Sequence, residues 1–253
     1  MSISKTKEQL NIHKKTTINT IDDYLNKLIE SDNDILQGKA DKLCYWLKDY
    51  IHMLEYESSF NASKFPKYKK GQIVKVNLGF NIGSEEGGLH YAIVIENTNY
   101  VKSPTLNIVP LTSIKPKTDI SKIRSDLGCV YLGNELYRLL DTKIRALESK
   151  VLQELDDVNT IINTLTPGSP EIHNLKQRLH KCKEEMEAYP KLTKEISKMK
   201  HGSIALVGQI TTISKLRIYN PKNSRDVLSG IRLSDKTIDL IDTSIEQLFT
   251  KKQ

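Results

Sequence analysis

The apolar spacing of this chain changes period twice, and that limits the fold more than any other property. Gln72-Ile73-Val74-Lys75-Val76-Asn77-Leu78 alternates polar and apolar residues, as a half-buried strand does, and two more strands are expected at about 90–96 and 105–112. Leu140, Ile144, Leu147, Val151, Val158, Ile161 and Leu165 then follow a heptad-like rhythm. Ile172, Leu175, Leu179, Cys182, Met186 and Tyr189 answer it at helical steps, after the turn signal Thr166-Pro167-Gly168-Ser169-Pro170. Ser169 is the expected N-cap there, with Pro170 at the first helical position. Strand character returns over Ser203–Ile213. A β-rich domain is therefore expected to be interrupted by an antiparallel helical hairpin. Its first leg, about 30 residues, reaches roughly 45 Å. Pro190 is expected to kink or end the return leg, although Leu192, Ile196 and Met199 resume the pattern.

The flanks read as helix. Residues 1 to about 15 are polar and lysine-rich, and a loose arm is expected there. Ile18, Ile21, Leu25 and Leu28 form one amphipathic face and Leu43, Leu47, Tyr50 and Leu54 a second, with Gly38 between the two helices. A terminal helix opens at Ser234 and Asp235 and presents Ile238, Ile241, Ile245 and Leu248. The expected class is α+β, with a small antiparallel barrel or strongly curved sheet. The expected divisions are an N-terminal helical extension at 1–65, a first part of the barrel at 66–132 and the hairpin at 133–200. Residues 201–253 then supply the rest of the barrel and the C-terminal helix.

At 253 residues the chain suits one domain with a large insertion or two domains. A net charge of +7 suits a polyanionic partner, nucleic acid before membrane. No apolar run is long enough to cross a bilayer, and the polar start has no signal-peptide core, so the expected location is cytoplasmic. Cys44, Cys129 and Cys182 lie far apart without CxxC spacing, which implies neither a disulfide framework nor a zinc site. Neither metal nor cofactor is expected.

Chemistry concentrates in Gly83-Ser84-Glu85-Glu86-Gly87-Gly88-Leu89-His90-Tyr91. Its glycines let backbone amides approach a ligand, and Ser84 and His90 supply a hydroxyl and a titratable nitrogen at the start of an apolar strand. Such a loop grips an anion and can move protons on it. Glu85 and Glu86 read first as solvated loop acids, with a general base as the alternative for either, Thr112 as structural, and His52, His173 and His180 as helical surface or packing residues. Lys67, Lys69 and Lys70, with Tyr68 between them, are a basic run of the kind usually solvated.

The segment 70–113 resembles the MazF/PemK toxins of bacterial toxin–antitoxin systems. The resemblance is carried by Lys70-Gly71-Gln72-Ile73-Val74, Gly83-Ser84-Glu85, Gly87-Gly88, Ser103-Pro104-Thr105 and Pro110-Leu111-Thr112-Ser113 in that order. Gly208-Gln209-Ile210-Thr211-Thr212-Ile213 and the helix ending near Leu248 are similar to the family's late strand and C-terminal helix. The resemblance implies an SH3-like barrel and a ribonuclease in which a 2′-hydroxyl attacks its own phosphodiester without a metal. The products would be a 2′,3′-cyclic phosphate and a 5′-hydroxyl. It implies His90, Thr105 and Ser84 as catalytic, with His90 where relatives carry an arginine. Gly83, Glu85, Gly87, Gly88 and Thr211 are the expected substrate-binding residues, with Lys102 and Lys215 as candidates to replace the positive charge that His90 and Thr211 lack beside the family's arginines. RNA, a homodimer mate and an antitoxin are the implied partners, and the extra helices could dimerise, cover the site in cis or hold a partner. A barrel that binds RNA or a partner without cutting is the alternative, as is a structural protein working through its hairpin.

Overall fold

A computed structural model of the protein describes residues 5–164, 171–224 and 226–250. The chain divides into two compact units, Met1–Ser59 with Gly79–Ile82, and Phe60–Leu78 with Gly83–Gln253. The expected turn at Thr166–Pro170, with its Ser169 cap, lies outside the described residues.

The first unit is a pair of helices, α1 (Lys7–Ile29) and α2 (Asp34–Glu57). Two expectations are corrected here. Helix begins at Lys7 within the supposed loose arm, because Thr6 and Gln9 form a reciprocal capping box. The break falls before Asn33, whose side chain accepts from the Ile35 amide, and Gly38 lies inside α2. A helical glycine costs only about 1 kcal/mol, less decisive than a well-made cap. The Gln37 side chain fastens the link by donating to the Ile29 and Ser31 carbonyls at 3.3 and 2.8 Å.

The second unit is built on one antiparallel sheet of seven strands: β1 (Ile73–Asn77), β2 (Leu89–Val94), β3 (Thr105–Ser113), β4 (Cys129–Tyr131), β5 (Ser203–Leu206), β6 (Thr211–Ser214) and β7 (Ile218–Asn220). The order is β4-β5-β3-β2-β1-β7, with β6 also on β3. The expected continuous strand over Ser203–Ile213 is in fact β5 and β6, split by a 3-10 turn at Val207–Gln209. Both halves pair with β3, and the detour lies opposite Val109 and Pro110, where proline has no N–H to give a ladder. β6 lies on β3 and β7 on β1, with only the 3-10 turn Lys215–Arg217 between them. The backbone thus wraps round the curved sheet, although the hydrogen-bonded path stays open. The class is α+β, as expected.

Strands β1 to β3 bury both faces. Val74, Val76, Ala92, Val94, Leu106 and Ile108 fill the interior with Tyr68, Ile213 and Ile218. The other face, with Ile73, Tyr91, Ile93, Val109 and Leu111, packs in one cluster with α3 (Glu135–Thr164) and α5 (Asp235–Phe249) through Leu136, Leu140, Ile144, Ile238 and Ile241. That is why Ala92-Ile93-Val94-Ile95 is apolar at every position rather than alternating. Ile93 and Val94, both fully buried, each contribute about 1.5–3 kcal/mol of transfer free energy. α3 pairs with α4 (Glu171–Ile196) along Leu140, Ile144, Val151 and Val158 against Leu175, Cys182, Tyr189 and Ile196, all buried. Pro190 lies inside α4, which continues to Ile196. The amide of Ser234, the N-cap of α5, is capped by Glu135 at the start of α3, which accepts from it at 2.6 Å and from the Thr237 hydroxyl. Among the described residues, no helix is long and apolar enough to cross a membrane.

Candidate active site

The glycine loop is held at both ends and in the middle. Gly83 and Gly88 have φ of +65° and +83°, a region that L side chains rarely adopt, so these positions need glycine. The Gly88 carbonyl accepts from the Leu78 amide at 2.8 Å, closing the β1–β2 connection. Between them, the Gln209 side chain donates to the Ser84 carbonyl at 3.1 Å and accepts from the Glu86 amide at 2.7 Å. One carboxamide from the Val207–Gln209 turn thereby fixes the loop and the carboxylate it carries.

That carboxylate meets His90. Glu86 Oε2 lies 3.3 Å from His90 Nε2, and the Leu111 carbonyl lies 3.2 Å from His90 Nδ1. Both side chains are about a quarter exposed. A neutral imidazole has a single N–H, so only the doubly protonated ring donates to both oxygens at once. The arrangement can hold a cation beside a carboxylate and shift one proton between Nε2 and Oε2. Metal-ligand clustering is not part of it: among the described residues there is no group of three or more His, Cys, Asp or Glu able to hold an ion.

Register supplies the rest. His90 is opposite Val76 on β1, and Val76 is opposite Ile218 on β7. Tyr91 pairs with Leu111, so one step further along the ladder His90 faces Thr112 on the same side of the sheet. Thr112 in turn pairs with Ile204 of β5. His90, Thr112 and Ser113 line a recess of about 170 Å³, with Met199 from the foot of the helical hairpin on its wall.

The other expected residues are elsewhere. Thr105 opens β3 seven residues from Thr112, roughly 24 Å along the strand. It pairs with Ser214, and its carbonyl accepts from the Asn99 side chain and the Ser103 hydroxyl. Lys215 is fully buried at that same end, donating to the Tyr100 and Val101 carbonyls at 3.2 and 3.5 Å and lying 5.7 Å from the Tyr68 ring. Burial holds its ammonium below the ordinary lysine range. Lys102 is exposed on the intervening loop, and Thr211 pairs with Ile108 midway along β3. Ser84, Glu85, Gly83, Gly87 and Gly88 stay with His90 through the loop; Thr105, Lys102 and Lys215 do not.

Four residues gain importance from the structure: Glu86, Thr112, Gln209 and Met199. Two signals for them were in the sequence. Glu86 and His90 are four apart across two glycines, and His90 and Thr112 lie equally far from the middle of the β2–β3 loop, which pairs them in a hairpin. Gln209 and Met199 arrive from after the hairpin insertion and carry no such signal.

No curated protein matches the chain. Residues 69–162 match the family described as the PemK-like, MazF-like toxin of type II toxin–antitoxin systems. The matched range holds the glycine loop, β1 to β4 and most of α3, and ends inside the hairpin. On that match, residues 69–162 of this chain are a PemK/MazF-like toxin domain.

Proposed function

We propose that this protein is the endoribonuclease toxin of a toxin–antitoxin pair, acting in the cytoplasm, with His90 and Glu86 as its proton-transfer couple. The observation that carries the reading is the Glu86–His90–Leu111 carbonyl chain, at 3.3 and 3.2 Å, beside the recess shared with Thr112 and Ser113. In the proposed reaction the Glu86 carboxylate takes the 2′-hydroxyl proton as O2′ bonds to phosphorus. The P–O5′ bond breaks, and His90 gives its Nε2 proton to the departing 5′ oxygen. The products are a 2′,3′-cyclic phosphate and a 5′-hydroxyl. The imidazolium offsets charge on the phosphorane, the role a guanidinium fills where an arginine is present. Thr112 and Ser113 hydroxyls and the amides of Gly87 and Gly88 are its further donors. An antitoxin that covers this recess is the matching partner.

The test is the end chemistry. Purified protein and a long RNA, without added metal, should yield cyclic-phosphate ends that vanish with His90→Ala. Cleavage leaving 3′-hydroxyl and 5′-phosphate ends contradicts the mechanism. Both His90 nitrogens already face oxygen acceptors, which favours a second reading, a barrel that binds RNA without cutting it. Binding without cleavage by the wild type would establish that one instead.

A further inference from the structure

Acidic residues are missing from two long stretches of this chain. None occurs from residue 97 to 118, nor from 196 to 225, and these stretches hold nine lysines and arginines. Residues 1–59 carry eight lysines against ten carboxylates, so the positive balance belongs to the rest of the chain. The acid-free stretches are β3, β5, β6, β7 and their turns, the part of the sheet that includes the floor and one wall of the His90 recess.

The β3–β5 ladder continues past Ser113 and Ser203, with the Ile114 amide donating to the Gly202 carbonyl at 3.0 Å. Each strand then leaves the ladder through a tight turn. In one, the Thr118 amide donates to the Lys115 carbonyl at 2.9 Å, which puts Pro116 and Lys117 at the corner. In the other, the Gly202 amide donates to the Met199 carbonyl at 2.9 Å, which puts Lys200 and His201 at the corner. Lys115, Lys117, Lys200 and His201 are all exposed, and among the described residues none of them makes an ion pair. Met199, immediately before Lys200, lines the recess, and Ser113, two before Lys115, lines it from the other strand.

We propose that Lys115, Lys117, Lys200 and His201 form a phosphate-binding rim, along which single-stranded RNA runs as it leaves the His90 recess. This rests on the ribonuclease reading and adds the path of the substrate. Lys200 closes the hairpin insertion and His201 follows it, so the insertion builds part of the substrate track rather than only projecting from the domain. Short turns tether the four side chains beside the recess, so they contact phosphates flanking the scissile one. Contacts of that kind strengthen binding of ground state and transition state alike.

The experiment measures retention of a mixed-sequence single-stranded 2′-O-methyl RNA, which has no 2′-hydroxyl to react, across a salt series. Each phosphate contact contributes about 0.7 to the slope of log affinity against log salt for a single strand. Lys115→Gln/Lys117→Gln/Lys200→Gln should flatten that slope by about 2, and Lys200→Gln alone by about 0.7. Lys7→Gln/Lys14→Gln/Lys42→Gln, three exposed positions on α1 and α2, should leave it within 0.5 of the wild type. On cleavable RNA the rim variant should raise KM with kcat within about twofold. An unchanged slope in the rim variant, or equal flattening in the α1–α2 control, overturns the rim while leaving the ribonuclease reading intact. A wild type that retains no RNA at any salt overturns both.

Discussion

The two ends of β3 carry similar residues in opposite states. At the Ser113 end, His90 and Thr112 line an open recess, Glu86 reaches His90, and all three stay partly exposed. At the Thr105 end, Asn99 and Lys215 are buried, while the Thr105 side chain is exposed. Glu96 accepts from the Asn107 amide at 2.6 Å and the Asn99 side chain at 2.7 Å, while Lys215 holds two loop carbonyls with no exposed surface. Hydrogen-bonding groups satisfied inside the fold lock a loop; the same groups left facing a cavity can act on a ligand. Lys215, turned inward at this end, therefore locks a loop rather than facing a cavity.

The largest expected effect separates the ends by activity. His90→Ala should lower the rate of RNA cleavage by about 10²–10⁴-fold, the usual contribution of a positioned proton donor, with thermal stability nearly unchanged. A rate within tenfold of the wild type would move the chemistry away from this recess.

At the other end the effect should be on stability. Lys215→Ala removes a buried stem and leaves the Tyr100 and Val101 carbonyls without their donor, at about 2–4 kcal/mol in denaturant unfolding. Tyr68 there donates to the Pro221 carbonyl at 2.6 Å. Burial, then Asp226, push its hydroxyl well above the ordinary 10.0. The unfolded chain ionises first, so this group's contribution is lost as pH rises above about 10. Lys215 has the opposite sign: its folded ammonium deprotonates below the ordinary 10.5, so stability from that group rises as pH climbs towards that value. Tyr68→Phe should cost about 1 kcal/mol near neutrality and soften the loss above pH 10. An unaltered alkaline limb in that variant would contradict the assignment.

A smaller effect is expected at the clamp between them. Gln209→Leu cannot bond the Ser84 carbonyl or the Glu86 amide, so the Glu86 carboxylate loses its fixed position. A fall in kcat of about tenfold is expected with KM little changed, since positioning acts on the transition state. A rise in KM alone would assign Gln209 to binding instead.

How much of this was legible depended on how local each signal is. The alternation at Gln72–Leu78 and the β-branched runs placed β1 to β3 to within two residues, and the heptad spacing announced α3 and α4. The glycine loop and His90 declared themselves because the constraint lies within one short segment. The start of α1 and the α1–α2 break went to caps at Thr6 and Asn33, which outweighed a polar composition and a helix-interior glycine. The split between β5 and β6 arises from how that strand meets β3, which no local pattern records. Thr105 was drawn to His90 by the resemblance, whereas continuing the Tyr91–Leu111 register by one step sets His90 opposite Thr112, and register is a property of two strands together.

That pairing gives the sharpest test. Single-turnover cleavage of one RNA should be measured for Thr112→Val and Thr105→Val, each of which removes a hydroxyl and nearly conserves volume. If the catalytic end of β3 is the Ser113 end, Thr112→Val slows cleavage by about tenfold, the worth of one neutral hydrogen bond in a transition state, while Thr105→Val stays within about twofold. A slow Thr105→Val beside an unimpaired Thr112→Val would place the reacting phosphate at the other end and contradict the account.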